Sequence, residues 1–160
     1  MLIKHPLEPI IDSDSQIIIL GSFPSIKSRE ENYYYMNKQN RFWKVLSSIY
    51  NYDFVNASKV QKTNKLKELK IALYDVVVEC EIVGSSDSTI KNEKVLDINK
   101  FIALSNISKI YLNGKKAYEL FISNYQNLKD IAYLMPSTSP ANAVYTLDKL
   151  IAKWQVIKER

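Results

Sequence analysis

Short apolar runs and longer mixed stretches alternate along the chain, with turn residues between them. Gln16–Leu20 is a β-branched run stopped by Gly21, the pattern of a strand buried on both faces. Ile71–Cys80, rich in Val, predicts a second strand, followed by the turn-like Gly84-Ser85-Ser86-Asp87-Ser88. Ile107–Leu112, ended by Asn113-Gly114, predicts a third, and Ile131–Met135, closed by Pro136, a fourth. Between them Phe42, Trp43, Val45, Leu46, Ile49 and Tyr50 recur at helical spacing, with Asn40 placed to cap. Val60, Leu66 and Leu69 mark a more exposed, Lys-rich helix. Asp97 can cap Ile98–Leu104, and Lys115–Tyr125 is amphipathic. A last helix is expected to carry Ala143, Val144, Leu147, Leu150, Ile151 and Trp154, with Pro140 in its first turn. Strands alternating with helices predict an α/β fold with right-handed crossovers and a mainly parallel sheet covered on both faces. No repeat or linker interrupts the pattern, so one domain over 1–160 is expected.

Composition narrows the chemistry more than the fold. With 160 residues, 46% hydrophobic and 24% charged, the chain can build one proper core. The single cysteine, Cys80, rules out an intrachain disulfide, a four-thiolate iron–sulfur cluster and a cysteine-rich zinc site. Cys80 reads as a small buried hydrophobe. The single histidine, His5, stands in a polar N-terminal arm, which argues against histidine-driven catalysis. The first residues lack the apolar stretch of a signal peptide, and Ile17–Leu20 is too short to span a bilayer, so a cytoplasmic protein is expected. The net charge of +5 favours a polyanionic partner, but Lys is abundant throughout and the excess alone does not separate a binding footprint from compositional drift.

Ligands of open α/β sheets bind beyond the carboxyl ends of the strands. The loops after Leu20, Cys80, Leu112 and Met135 therefore matter most. Gly21-Ser22-Phe23-Pro24-Ser25 turns off the first strand, and Gly21 would admit a ligand close to the backbone. Lys27, Arg29, Tyr33, Tyr34, Tyr35, Lys38, Asn40 and Arg41 follow. Basic residues interleaved with aromatics supply phosphate contacts and stacking platforms, the needs of a nucleic-acid site; covering the sheet edge is the plainer role for the tyrosines. Met135-Pro136-Ser137-Thr138-Ser139-Pro140-Ala141-Asn142 offers small hydroxyls and helix-start amides to phosphate, or forms an ordinary capped helix start. Neither common nucleotide-binding Gly motif and no Gly-x-Ser-x-Gly elbow is present. Asp75, in an apolar strand, reads first as a satisfied structural acid, and Asp87-Ser88 fits a turn as well as a site.

Five spaced motifs together resemble one family. Gly21-Ser22-Phe23-Pro24-Ser25, Tyr34-Tyr35, Asn40-Arg41-Phe42-Trp43, Gly84–Ser88 and Pro136–Asn142 are similar, in order, to the hypoxanthine-DNA glycosylase branch of the uracil-DNA glycosylase superfamily. Asn40–Val45 and Gly114–Tyr118 also resemble mismatch-specific uracil-DNA glycosylases. The resemblance implies a three-layer α/β/α sandwich around a four-stranded parallel sheet. It also implies hydrolysis of the N-glycosidic bond of a flipped-out deaminated base, without metal or other cofactor, leaving an abasic site. Mismatch-specific relatives carry a water-positioning Asn where this chain has Phe23, and the superfamily's His of the last motif is replaced near Met135. The resemblance assigns the catalytic part to Asn40, and relatives often carry His-Pro where this chain has Asn37-Lys38. It implies a base pocket of Gly21, Ser22, Phe23, Tyr34 and Tyr35, with Phe23 stacking on the base. Ser25, Ser137, Thr138, Ser139 and Asn142 are implied DNA contacts, and Lys27, Lys38 and Arg41 candidate phosphate contacts. The expected partner is double-stranded DNA containing a deaminated base, met by a nucleoid-associated monomer with no membrane attachment. The alternatives are a mismatch-specific uracil or thymine glycosylase, and a non-catalytic binder of damaged or single-stranded DNA.

Overall fold

The computed structural model describes residues 1–160. Its centre is a four-stranded parallel sheet in the order β3-β2-β6-β7, formed by β2 (Ile17–Gly21), β3 (Ile71–Asp75), β6 (Lys109–Asn113) and β7 (Ala132–Met135). Ile17 pairs with Ile71 on one side and Lys109 on the other, and Ile110 pairs with Ala132. Alternation along β2 divides the core. Ile17 and Ile19 join Leu73 and Tyr111 beneath α2 (Phe42–Tyr50), α3 (Lys59–Glu68) and α6 (Leu147–Trp154). Ile18 and Leu20 join Ala72 and Ile110 beneath α4 (Ile98–Ala103) and α5 (Lys115–Asn124). A central strand covered on both faces needs apolar residues at every position, and β2 is buried throughout. This is the expected three-layer α/β/α sandwich.

The local chemistry of the helix ends accounts for their positions. Helix α2 starts at Phe42 with Arg41 as its N-cap, but the side chain that caps it belongs to Asn40, whose Oδ1 accepts the Phe42 N–H at 3.0 Å. Asn51 closes α2 in the left-handed conformation (φ 49°). Helix α3 opens with a Ser58–Gln61 capping box. A short helix α1 (Ile26–Glu31) is capped by Ser25, whose Oγ accepts the Ser28 N–H.

Two expectations need correction. Ile71–Cys80 is not one strand: β3 ends at Asp75, and Val77–Glu81 forms β4 in a second, antiparallel sheet. There β4 lies between β1 (Ile3–Lys4) and β5 (Lys91–Val95). The polar, largely exposed Lys91–Val95 carries little strand signal because it sits at the edge of that sheet. The last helix begins at Leu147, with Thr146 as its cap. Ala143 and Val144 precede it, Val144 is 80% exposed, and Pro140 lies in a turn, so no helix N-terminus stands behind Ser137–Ser139. No helix is long and apolar enough to cross a membrane.

Candidate active site

The final residues of all four parallel strands, Gly21, Asp75, Asn113 and Met135, line one cleft of about 970 Å³. Its remaining walls come from the Ser22–Ser25 turn, Tyr34 and Tyr35, Asn40, the Ser85–Ser88 turn and the Pro136–Asn142 loop. The cleft is thus where sheet topology places ligands.

A chain of hydrogen bonds of fixed polarity crosses this cleft. The Thr138 N–H donates to Asn113 Oδ1 at 3.1 Å, which identifies the oxygen of that amide. Asn113 Nδ2 therefore donates to the Tyr35 hydroxyl at 3.2 Å and to Thr138 Oγ1 at 3.0 Å. Thr138 Oγ1 in turn donates to Asn40 Oδ1 at 2.8 Å. Both lone-pair directions of Asn40 Oδ1 are then occupied, one by Thr138 and one by the Phe42 N–H. The Asn40 Nδ2 group donates to nothing within the chain and is left for the cleft. Asn40 is a donor here.

Tyr35 is held as firmly. Its ring stacks on Phe42 with centroids 4.0 Å apart, and its backbone adopts φ 54°, the left-handed region that non-glycine residues enter at a cost. Its hydroxyl accepts from Asn113 and donates to no group of the chain. Burial, with Asp75 nearby, pushes the Tyr35 phenol well above its ordinary value, so the proton stays on oxygen.

The opposite wall carries two carboxylates. Asp75 is 4% exposed, and its Oδ2 meets His5 Nε2 at 2.7 Å. The Leu7 N–H donates to His5 Nδ1 at 3.1 Å, so the ring hydrogen sits on Nε2 and points at Asp75. Asp75 Oδ1 makes no hydrogen bond within the chain and opens on the cleft. A Cβ added at Gly21 would lie 2.5 Å from Asp75 Oδ1 and 3.0 Å from the Tyr35 hydroxyl. Glycine is required there to admit these two groups. Asp87 accepts from Ser22 Oγ at 2.7 Å, and the enclosing cleft, with Asp75 close by, pushes its carboxyl above the ordinary range.

The Pro136–Tyr145 segment is pinned from behind. Arg41 donates to the carbonyls of Ser139 (2.8 Å), Asn142 (3.1 Å) and Tyr145, and Trp154 Nε1 donates to Pro136 O at 3.0 Å. Gly114, at φ 100°, lets the same loop approach, since a Cβ there would come 3.1 Å from Ser137 Cβ.

With this geometry in place, the comparisons with known proteins are decisive. The family model described as the Uracil DNA glycosylase superfamily matches residues 8–158. The chain belongs to that superfamily. It is 35% identical over 120 residues to a protein of Methanosarcina barkeri named hypoxanthine DNA glycosylase, covering 72% of this chain and 74% of that one. A protein of the same name from Methanosarcina acetivorans is 29% identical over 161 aligned positions, covering 98% of each. A solution NMR structure from Methanosarcina acetivorans, provisionally described as a uracil DNA glycosylase, superposes with a TM-score of 0.85 at 27% identity, covering 99% of this chain and 97% of that one. This chain is therefore a DNA glycosylase, a repair hydrolase acting on DNA.

The glycosylase fold brings Gly21, Ser22, Phe23, Ser25, Tyr34, Tyr35, Asn40, Ser137, Thr138, Ser139 and Asn142 to the one cleft. Several expected roles change. Tyr33 and Tyr34 are buried: Tyr33 bonds Thr63 and burial pushes its phenol up to about 12, while the Tyr34 hydroxyl donates to Glu8 O at 2.6 Å. They are not an exposed stacking platform. Thr138 is 0% exposed and orients Asn40, so it is out of reach of a phosphate. Arg41 is spent on loop carbonyls, and Lys27 pairs with Glu31 at 3.2 Å. His5 is not in a free arm; its side chain is 1% exposed against Asp75 and lies edge-on to Phe23, with centroids 5.8 Å apart. Cys80 is buried as expected. Asn113 and Lys153 line the cleft without having been singled out in the sequence, and Lys115 does so with no site role given to it beyond its place in the Gly114–Tyr118 stretch. Only the strand-end position of Asn113 could have flagged it.

Proposed function

We propose that this glycosylase excises hypoxanthine from duplex DNA in which adenine has deaminated, leaving an abasic site with the strand intact. It would act as a monomer, on a base flipped into the cleft. The observation that carries the reading is the clamped Asn40 amide, whose oxygen is doubly occupied and whose N–H donors face the cleft. The relatives named hypoxanthine DNA glycosylase support the choice of base.

Breaking the glycosidic bond leaves positive charge on the sugar and negative charge on the departing purine; a water then adds its hydroxyl to the sugar carbon and its proton goes to the released purine. Asn40 Nδ2–H donates to an acceptor atom of that purine as its charge grows, a preorganised donor of the oxyanion-hole kind. Held by Thr138 and Phe42, the amide need not reorganise as the bond breaks. Gly21, Ser22, Phe23, Tyr34 and Tyr35 form the base pocket, with Phe23 against the base. Ser25, Ser137, Ser139 and Asn142 contact the DNA beside it, and Lys115 and Lys153 add positive charge at the cleft. Flipping costs least where pairing is already weakened, which favours deaminated over normal bases.

Incubation with duplexes bearing one deoxyinosine or one deoxyuridine, followed by alkali, tests the proposal. Cleavage at deoxyinosine only after alkali is expected. Deoxyinosine strands that survive alkali would overturn it, whether or not the deoxyuridine strands are cut.

A further inference from the structure

The cleft places an acceptor and a donor side by side. Asp75 Oδ1 and the Tyr35 hydroxyl are the two atoms nearest the missing Cβ of Gly21, at 2.5 and 3.0 Å. The polarity of each is set from behind. His5 Nε2–H donates to Asp75 Oδ2 at 2.7 Å and turns Oδ1 to the cleft as an acceptor. Asn113 Nδ2 donates to the Tyr35 oxygen at 3.2 Å and leaves the phenol proton to donate outward. A carboxylate buried to 4% exposure, with one oxygen that no group of the chain meets, is costly unless a donor reaches it from the cleft.

Hypoxanthine presents a ring N1–H beside the O6 carbonyl, a donor next to an acceptor. Adenine presents the reverse, a bare N1 beside an amino group. We propose that Asp75 and Tyr35 read this lactam edge, Asp75 Oδ1 accepting the base N1–H and the Tyr35 hydroxyl donating to O6, with His5 as the residue that positions Asp75. The inference rests on the hypoxanthine reading above and supplies what that reading lacks, a reason for undamaged adenine to be rejected. Adenine in the same pose would set its N1 lone pair against a carboxylate and its amino group against a phenol proton. Uracil carries the same N–H beside C=O and is compatible with the pair.

Binding to duplexes whose target nucleoside is a non-hydrolysable 2′-fluoroarabino analogue separates recognition from cleavage. The wild type should bind the inosine duplex about 10- to 100-fold more tightly than the nebularine duplex, whose purine has a bare N1 and no O6. In Asp75→Asn the His5 Nε2–H holds the amide oxygen, so Nδ2–H₂ faces the cleft and the order of preference should reverse. His5→Phe should collapse the preference, and His5→Gln, whose amide can donate to Asp75, should restore part of it. Equal wild-type affinity for the two duplexes would overturn the proposal, as would an unchanged preference in Asp75→Asn. The wild-type comparison needs no variant to fold. Failure to cleave ordinary deoxyinosine despite a preserved binding preference would instead count against the proposed function alone.

Discussion

Thr138 Oγ1 donates to Asn40 Oδ1 at 2.8 Å, and that bond decides which end of the Asn40 amide faces the cleft. The two residues are far apart in sequence, one ahead of α2 and one beyond β7. Asn113 links them, because its own orientation is fixed by the Thr138 N–H. The donor character of the site is therefore a property of three loops together.

Asn40→Ala should lower single-turnover base release by about 10²–10³-fold, the scale seen when one preorganised donor is removed. Affinity for damaged duplex should stay within a few-fold. Asn40→Asp should be as damaging, since both ends of its side chain accept and neither donates. A quench-flow time course and a gel-shift titration on the same preparations check both points.

Thr138→Val keeps the shape and removes the hydroxyl. It strands a buried Asn113 N–H and frees the Asn40 oxygen, costing about 1–3 kcal/mol of stability. Thr138→Ser, which restores the donor, should recover most of the rate. Urea denaturation with single-turnover kinetics on Val and Ser variants distinguishes clamping from DNA contact, because a lost DNA contact would raise KM without touching stability.

How far the sequence revealed this site depends on the range of each signal. The four parallel strands were legible because buried strands are continuous apolar runs, as in Ile17–Leu20. The loops bearing Gly21, Asn40 and Ser137 were legible from their position beyond strand ends and from spaced motifs. The split between Asp75 and Val77 was hidden, since both sides of the break are apolar and only pairing separates the sheets. His5 was misplaced for a similar reason: nothing in a polar N-terminal segment reports a bond to a residue 70 positions away. Arg41 looked like a phosphate contact because charge shows in sequence and carbonyl partners do not.

Arg41→Gln should lower thermal stability by loosening the Pro136–Tyr145 segment. The slope of log affinity against log salt should not change, because Arg41 is bonded to carbonyls rather than phosphate. Lys153→Gln should reduce that slope by about one, because Lys153 stands on the cleft. Fluorescence anisotropy across a salt series reads both variants.

Gly21→Ala should abolish base release while leaving the fold populated. Its new Cβ displaces the Asp75 carboxylate and the Tyr35 hydroxyl rather than core packing. Circular dichroism and base release on the same sample test this; an active alanine variant would show that those two groups are dispensable.

Tyr33 is raised to about 12 by burial, so its ionisation favours the unfolded chain. Stability tied to it is fully present below the ordinary tyrosine value near 10 and declines as pH rises through about 12. Tyr33→Phe should therefore flatten the loss of stability in that window and leave the profile at neutral pH unchanged in shape. Urea midpoints measured across the alkaline range provide the check.

The most direct test is chromatographic detection of free hypoxanthine released from a deoxyinosine duplex by the wild type and by Asn40→Ala. Stoichiometric hypoxanthine from the wild type, with release slowed at least about 100-fold in the variant, is the result predicted for a cleft built around a donor amide. No free base from the wild type, or equal rates from both proteins, would contradict it.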